Sequence, residues 1–159
     1  MDTNRFRFAT PDDVDLILFF IKSLAVYEKM LDEVEATPEM LREWIFKKQK
    51  AEVIFALHDG KEVGFALFFH NFSTFVGRAG LYLEDLFVLP EYRKMGYGKG
   101  LFSELAKIAV ERGCGRMEWV CLNWNQPSID FYHSLGAFGM TEWTTYRLDE
   151  KRLKKVALL

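Results

Sequence analysis

Cysteine is scarce in this chain of 159 residues, which has only Cys114 and Cys121. They form neither a CxxC pair nor a zinc spacing, so two reduced structural thiols are expected rather than a disulfide framework. The three histidines, His58, His70 and His133, show no ligand spacing, and no metal is expected; all three read as surface or strand-edge residues. An excess of one charge is also missing. With 21 Lys and Arg against 23 Asp and Glu, the formal net charge is −2, and a general nucleic-acid binder needs a basic surplus to neutralise phosphates. The apolar run Leu16–Ile21 is too short to span a bilayer, and the opening MDTNRFRF lacks the apolar region of a secretion signal. The expectation is a cytoplasmic protein with neither nucleic-acid nor membrane partners. Low-complexity segments and long linkers are lacking as well. What remains is plentiful apolar material, 50% hydrophobic and 16% aromatic, enough for one domain spanning residues 1–159.

Periodicity orders the chain. Residues 5–9 alternate polar and apolar, as a half-buried strand does. Thr10, Pro11 and Asp13 make a helix start, and Val14, Ile17, Leu18, Ile21, Leu24 and Ala25 give that helix one core-facing stripe that runs out near Tyr27–Met30. Thr37-Pro38-Glu39 repeats the start signal for a helix to about Lys48, with Leu41, Trp44 and Ile45 inward. Ala51–His58 and Lys61–His70 read as strands joined by the hairpin signal Asp59-Gly60. A polar connection over 71–77 leads to a third antiparallel strand, Ala79–Val88. A helix striped by Leu101, Phe102, Leu105, Ile108 and Ala109 ends at Gly113. Arg116–Leu122 reads as a strand, Asn125–Gly136 as a helix, and Trp143–Leu148 as a last strand before a short charged tail. The order β-α-α-β-β-β-α-β-α-β implies a mixed α/β domain whose long crossover connects parallel strands.

Chemistry concentrates in Leu81–Gly100. An apolar strand carries the adjacent carboxylates Glu84 and Asp85, Leu89-Pro90 stops it, and Arg93, Lys94, Met95, Gly96, Tyr97, Gly98 and Lys99 lead into a helix. This is neither a Walker A loop nor a GxGxxG fingerprint. Its glycines let successive amides turn inward on a pyrophosphate at a helix N-terminus, or they mark a flexible surface turn with incidental basic residues. Adjacent strand residues face opposite ways, so Glu84 and Asp85 share a cleft only if a bulge intervenes. Glu84 is the one expected at a substrate, and Asp85 is expected to be a structural bystander that pairs with an arginine. Downstream, Asn125 or Ser128 caps a helix or contacts a ligand, and Tyr132 is a core aromatic or a proton donor.

These residues resemble the GNAT N-acetyltransferases, and within them the diamine (spermidine/spermine) and thialysine acetyltransferase group. The resemblance rests on Arg93-x-x-Gly96-x-Gly98 after a strand, with Leu24-Ala25-x-Tyr27-Glu28, Tyr82-Leu83-Glu84-Asp85, Pro90-Glu91-Tyr92-Arg93 and Trp124-Asn125-Gln126-Pro127-Ser128-Ile129-x-Phe131-Tyr132 in order. It implies a mixed, mostly antiparallel sheet splayed between strands 4 and 5 and flanked by helices. It also implies acetyl-CoA as cosubstrate, with no metal and no acyl-enzyme. Leu86, Phe87 and Val88 would line the pantetheine arm, Arg93–Lys99 the pyrophosphate, and Asn125, Gln126, Pro127 and Ser128 a further part of the cofactor. Tyr132 would be the general acid and Glu84 the proton acceptor, through water. Tyr27, Glu28, Glu84, Glu118, Trp119 and Val120 would line the site of a small primary amine, a polyamine or a lysine analogue. Relatives are commonly homodimers. The chain departs from the polyamine-acetylating pattern at Thr144-Thr145-Tyr146, where an acidic-Gly-Trp segment is usual, and Glu142 lies two residues away. Two other expectations stay open: a non-catalytic acyl-CoA sensor, or an acetyltransferase of a peptide or protein amine.

Overall fold

The structure is a computed structural model that describes residues 5–159. Two compact units are present, Met1–Val120 and Cys121–Leu159. The first contains β1 (Phe6–Phe8), α1 (Val14–Tyr27), α2 (Pro38–Leu41), β2 (Glu52–His58), β3 (Lys61–Ser73), β4 (Arg78–Val88), α3 (Tyr97–Glu111) and β5 (Met117–Glu118). The strands lie in the order β1-β2-β3-β4-β5, all antiparallel except β5, which runs parallel to β4 after the α3 crossover. This is the mixed α/β sheet that the sequence leads one to expect.

Alternation along the strands divides the core between two faces. Val53, Phe55, Phe65 and Phe87 join Ile17 and Phe20 of α1, and Phe20 stacks on Phe65 with centroids 5.2 Å apart. Ile54, Ala66 and Phe68 occupy the alternate positions and are buried as well, as are Leu101 and Leu105 of α3. The start of α1 is fixed by charge. Asp13 accepts from the Thr10 N–H at 2.7 Å and from both Arg7 Nη atoms at 2.8 and 2.9 Å, while Arg7 Nη2 also reaches Glu62 at 2.7 Å. Strand, helix and hairpin are thereby tied together.

Two expectations in this unit change. Trp44 is exposed, with the Lys48 ammonium 3.9 Å from its ring centroid. Residues Arg42–Lys47 form a wide π turn, with Lys48 N–H donating to Glu43 O, and the wider turn rotates Trp44 out while keeping Ile45 buried. The β3–β4 ribbon also extends further than its polar sequence indicates, pairing Ser73 with Arg78, because ladder bonds outweigh weak strand propensity there.

The second unit contains α4 (Gln126–Ser134) and α5 (Glu150–Val156). Asn125 is the N-cap of α4, its Oδ1 accepting from the Ser128 N–H at 3.4 Å, and Gly136 ends the helix at φ +86°. The strand expected over Trp143–Leu148 is not formed, and of Arg116–Leu122 only Met117–Glu118 is a strand. Strand propensity is expressed only where a neighbouring ladder accepts it. The charged tail is instead helical, since Asp149 caps the Arg152 N–H at 2.9 Å and Lys154 reaches Glu150 at 2.6 Å, one turn back.

Candidate active site

The centre of the first unit is β4 and the loop after it. Leu67 of β3 pairs with Asp85 and Phe68 pairs with Leu83, so Glu84 is an extra residue in β4, a β-bulge. The bulge resets the alternation. Leu83 lies before it on one face, while Asp85 and Phe87 continue on the face shared with Leu67 and α1. The condition for two adjacent carboxylates to act in one place is therefore met.

Asp85 is half-buried and Glu84 exposed. Burial first, and then the neighbouring charges of Glu84 and Glu28, together raise the Asp85 pKa to about 7. The charges that act on Asp85 are two more carboxylates, not the arginine expected beside it. Glu28, the C-cap of α1, is itself raised by burial. Tyr82 is raised by burial and then by Glu84 and Glu118. Glu118 is engaged by Arg116 at 3.4 Å and by Asn71 Nδ2 at 3.3 Å, and Trp119 packs edge-on against Phe102 with centroids 5.1 Å apart. Val120 is exposed.

Ladder geometry sorts the three residues expected along a cofactor arm. Leu89 N–H donates to Val63 O, so Phe87, two residues earlier, is also turned to β3, whereas Leu86 and Val88 direct their N–H and C=O to the other edge. On that edge the β5 ladder reaches only Leu81 and Tyr82. Splaying of β4 from β5 thus leaves Leu86 and Val88 beyond the paired region. Phe87 differs from its two neighbours: its backbone faces β3, and its ring packs by Tyr27 with centroids 6.4 Å apart. The Arg93 guanidinium lies over both rings, 5.2 Å from Tyr27 and 5.1 Å from Phe87, and its Nε donates to Val88 O at 3.1 Å. Tyr27, Glu28, Glu84, Asp85, Phe87 and Arg93 are accordingly brought together, although 66 positions separate Tyr27 from Arg93.

The loop itself has the shape of an anion cradle. Lys94 and Gly96 both have left-handed backbone, with φ +63° and +88°, and Gly100 N–H to Gly96 O is the bond that opens the α3 ladder. The amides of Tyr97, Gly98 and Lys99 precede that ladder. The glycines are present for different reasons. A Cβ on Gly100 would meet the Phe6 ring at 2.9 Å, but one on Gly98 would meet nothing within 4 Å. No protein atom excludes a side chain at Gly98, so the absence of one fits close approach of a ligand to the backbone. A pyrophosphate fits this donor set of amides flanked by Lys94, Lys99 and a helix N-terminus.

In the second unit Asn125 is buried and its side-chain oxygen serves the cap. Gln126 Nε2 donates to Asp130 at 2.7 Å, and the Tyr132 ring lies 5.8 Å from that of Phe131. Asp85, which the sequence reading set aside, lies among these residues, and its place in an apolar strand was the signal for it.

Comparison with known proteins agrees with this geometry. Residues 19–137 match the acetyltransferase (GNAT) family. A thialysine N-epsilon-acetyltransferase of Caenorhabditis elegans is 36% identical over 152 residues, 93% of each chain. An L-ornithine N5-acetyltransferase of Arabidopsis thaliana is 30% identical, covering 96% of this chain and 87% of the relative. Among solved structures, an integron cassette protein from the mobile metagenome of V. cholerae superposes with a TM-score of 0.79 at 28% identity, over 96% of each chain. With motif, fold and relatives in agreement, the chain belongs to the GNAT family of acetyltransferases.

Proposed function

We propose that the protein transfers the acetyl group of acetyl-CoA to a primary amine of a small cationic substrate, a lysine analogue or a polyamine, by direct attack. The observation that carries this is one continuous run, β4 to α3, holding an acid pair at its bulge and an anion cradle at its loop. Relatives named for thialysine and ornithine support an amino-acid side-chain amine, and one named spermidine/spermine N(1)-acetyltransferase-like supports a polyamine.

Such an amine, with a pKa of roughly 10.4, arrives as an ammonium and must lose a proton before it is a nucleophile. Glu84 and Glu28 attract the cation. Asp85, already held near neutrality by burial, is the matched acceptor for its proton, with Glu84 relaying through water. The neutral nitrogen then attacks the thioester carbonyl, the C–S bond breaks and the leaving thiolate takes a proton from Tyr132, while the proton that the nitrogen sheds as the amide forms returns through water to the tyrosinate. The Leu86 and Val88 edge groups would hold the pantetheine arm, the 94–99 amides the pyrophosphate, and Asn125–Ser128 a further part of the cofactor. Acetylation removes the positive charge, so the product loses its attraction to the carboxylates. The proposal includes a cytoplasmic homodimer, which light scattering tests in its oligomeric part.

The assay mixes protein, acetyl-CoA and a panel of thialysine, lysine, ornithine and spermidine, and reads released thiol. Turnover with at least one amine, reduced by Tyr132→Phe, is expected. Tight CoA binding with no thiol release would instead identify a sensor and overturn the proposal.

A further inference from the structure

We infer that His58 is a positioning residue for the pyrophosphate cradle, acting through the Tyr97 hydroxyl, an inference that rests on the acetyl-CoA reading above. His58 ends β2, at the Asp59-Gly60 turn where both residues have positive φ, +48° and +77°. It is far from the loop in sequence and touches both of its stems. On one side its ring lies 5.1 Å from Tyr92, the residue that closes the short turn Pro90–Tyr92 before the loop. On the other, its Nδ1 is 2.6 Å from the hydroxyl of Tyr97, the first residue of α3. The Asp59 carboxylate lies 3.5 Å from Nε2, so the proton of the neutral ring belongs on Nε2, and the Tyr97 hydroxyl donates to Nδ1.

The segment between these stems, Arg93–Gly96, needs such a clamp. Lys94 is a non-glycine residue at φ +63°, a conformation that persists only where surrounding structure over-determines it. Tyr97 is 7% exposed, and the Arg5 guanidinium sits 5.0 Å over its ring, so the phenol has been taken out of water and given one designed partner at the hairpin. Fixing Tyr97 fixes the first amides of α3, those with no intrahelical acceptor. A loop that samples its competent shape only part of the time binds with its affinity reduced by that fraction.

The test separates positioning from general stability. His58→Phe keeps a ring against Tyr92 and removes the nitrogen; His58→Asn restores a polar acceptor near Nδ1. The expected result is a KM for acetyl-CoA raised about three- to tenfold in His58→Phe and partly recovered in His58→Asn, with kcat and the amine KM unchanged. S-acetylpantetheine, which has no pyrophosphate, should be used equally well by wild type and His58→Phe. Tyr97→Phe and the double variant should lose no more CoA affinity than His58→Phe alone, the signature of one shared bond. CoA titration by calorimetry, without amine, reads the same loss even in a protein that fails to turn over. Wild-type CoA binding matched by His58→Phe overturns this inference alone, as does an equal loss with acetylpantetheine. A wild type that binds no CoA overturns it together with the acetyl-CoA reading.

Discussion

At the residue scale, Asp85 decides how the site responds to pH. Its folded pKa is raised to about 7 from 3.8, so the folded state holds the proton more tightly than the unfolded chain. The associated stability is full below about pH 4 and is lost as pH rises through about 7, when a buried carboxylate must ionise beside Glu84 and Glu28. Asp85→Asn should therefore raise the melting temperature at pH 8 and leave it nearly unchanged at pH 4, by thermal denaturation. The same variant should lose about 100-fold or more in kcat, as expected for removal of a proton acceptor. Asp13 has the opposite sign. Arg7 holds its pKa down to about 2, so its contribution of about 2 kcal/mol is present above pH 4 and disappears as pH falls towards 2. Asp13→Asn should lower stability at pH 7 by roughly that amount and flatten the acid limb of the unfolding curve. Sequence alone identified Asp13 correctly because a capping acid is a local signal. It left Asp85 open because the surroundings of two adjacent strand carboxylates depend on a bulge, which is a property of two paired strands.

At the scale of elements, the two glycines in the first turn of α3 separate fold from ligand. A Cβ at Gly98 points into open space, and alanine is a better helix former than glycine. Gly98→Ala should leave the melting temperature equal or slightly higher, yet raise the acetyl-CoA KM about 10- to 100-fold, the worth of one or two charge-assisted amide contacts. Gly100→Ala should do the reverse: the Phe6 ring must move, stability falls by about 1–2 kcal/mol, and the acetyl-CoA KM changes little. Steady-state kinetics beside a thermal melt distinguish them. The helices α1 and α3 were legible because each carries a complete apolar stripe and a terminal glycine or cap. The π turn that exposes Trp44 was not, since its widening has no periodic signature over so few residues.

For the whole molecule, the near-neutral charge and apolar composition restrict recognition to local fields. The acid trio Glu28, Glu84 and Asp85 lies within a chain of formal net charge −2, so the negative field there is a feature of the site more than of the whole surface. Ligand linkage offers a global readout. Acetyl-CoA at 100 times its Kd should stabilise the protein by about 2.7 kcal/mol, a melting shift of roughly 5–10 °C, and Gly98→Ala should remove most of that shift at the same concentration. No helix among the described residues is long and apolar enough to cross a membrane.

The amino-acid sequence by itself determined the helices α1, α3 and α4, the Asp59-Gly60 hairpin, the parallel crossover and the run from acid pair to glycine loop, because each is written in neighbouring residues. Only tertiary structure decided which of those residues act together. The bulge that places Glu84 and Asp85 in one field, the edge that separates Leu86 and Val88 from Phe87, and the bond from His58 to Tyr97 all join distant segments. The strand expected over Trp143–Leu148 makes the same point from the other side. Hydrogen-bond registers and burial arise from pairs of segments, and no local pattern encodes them.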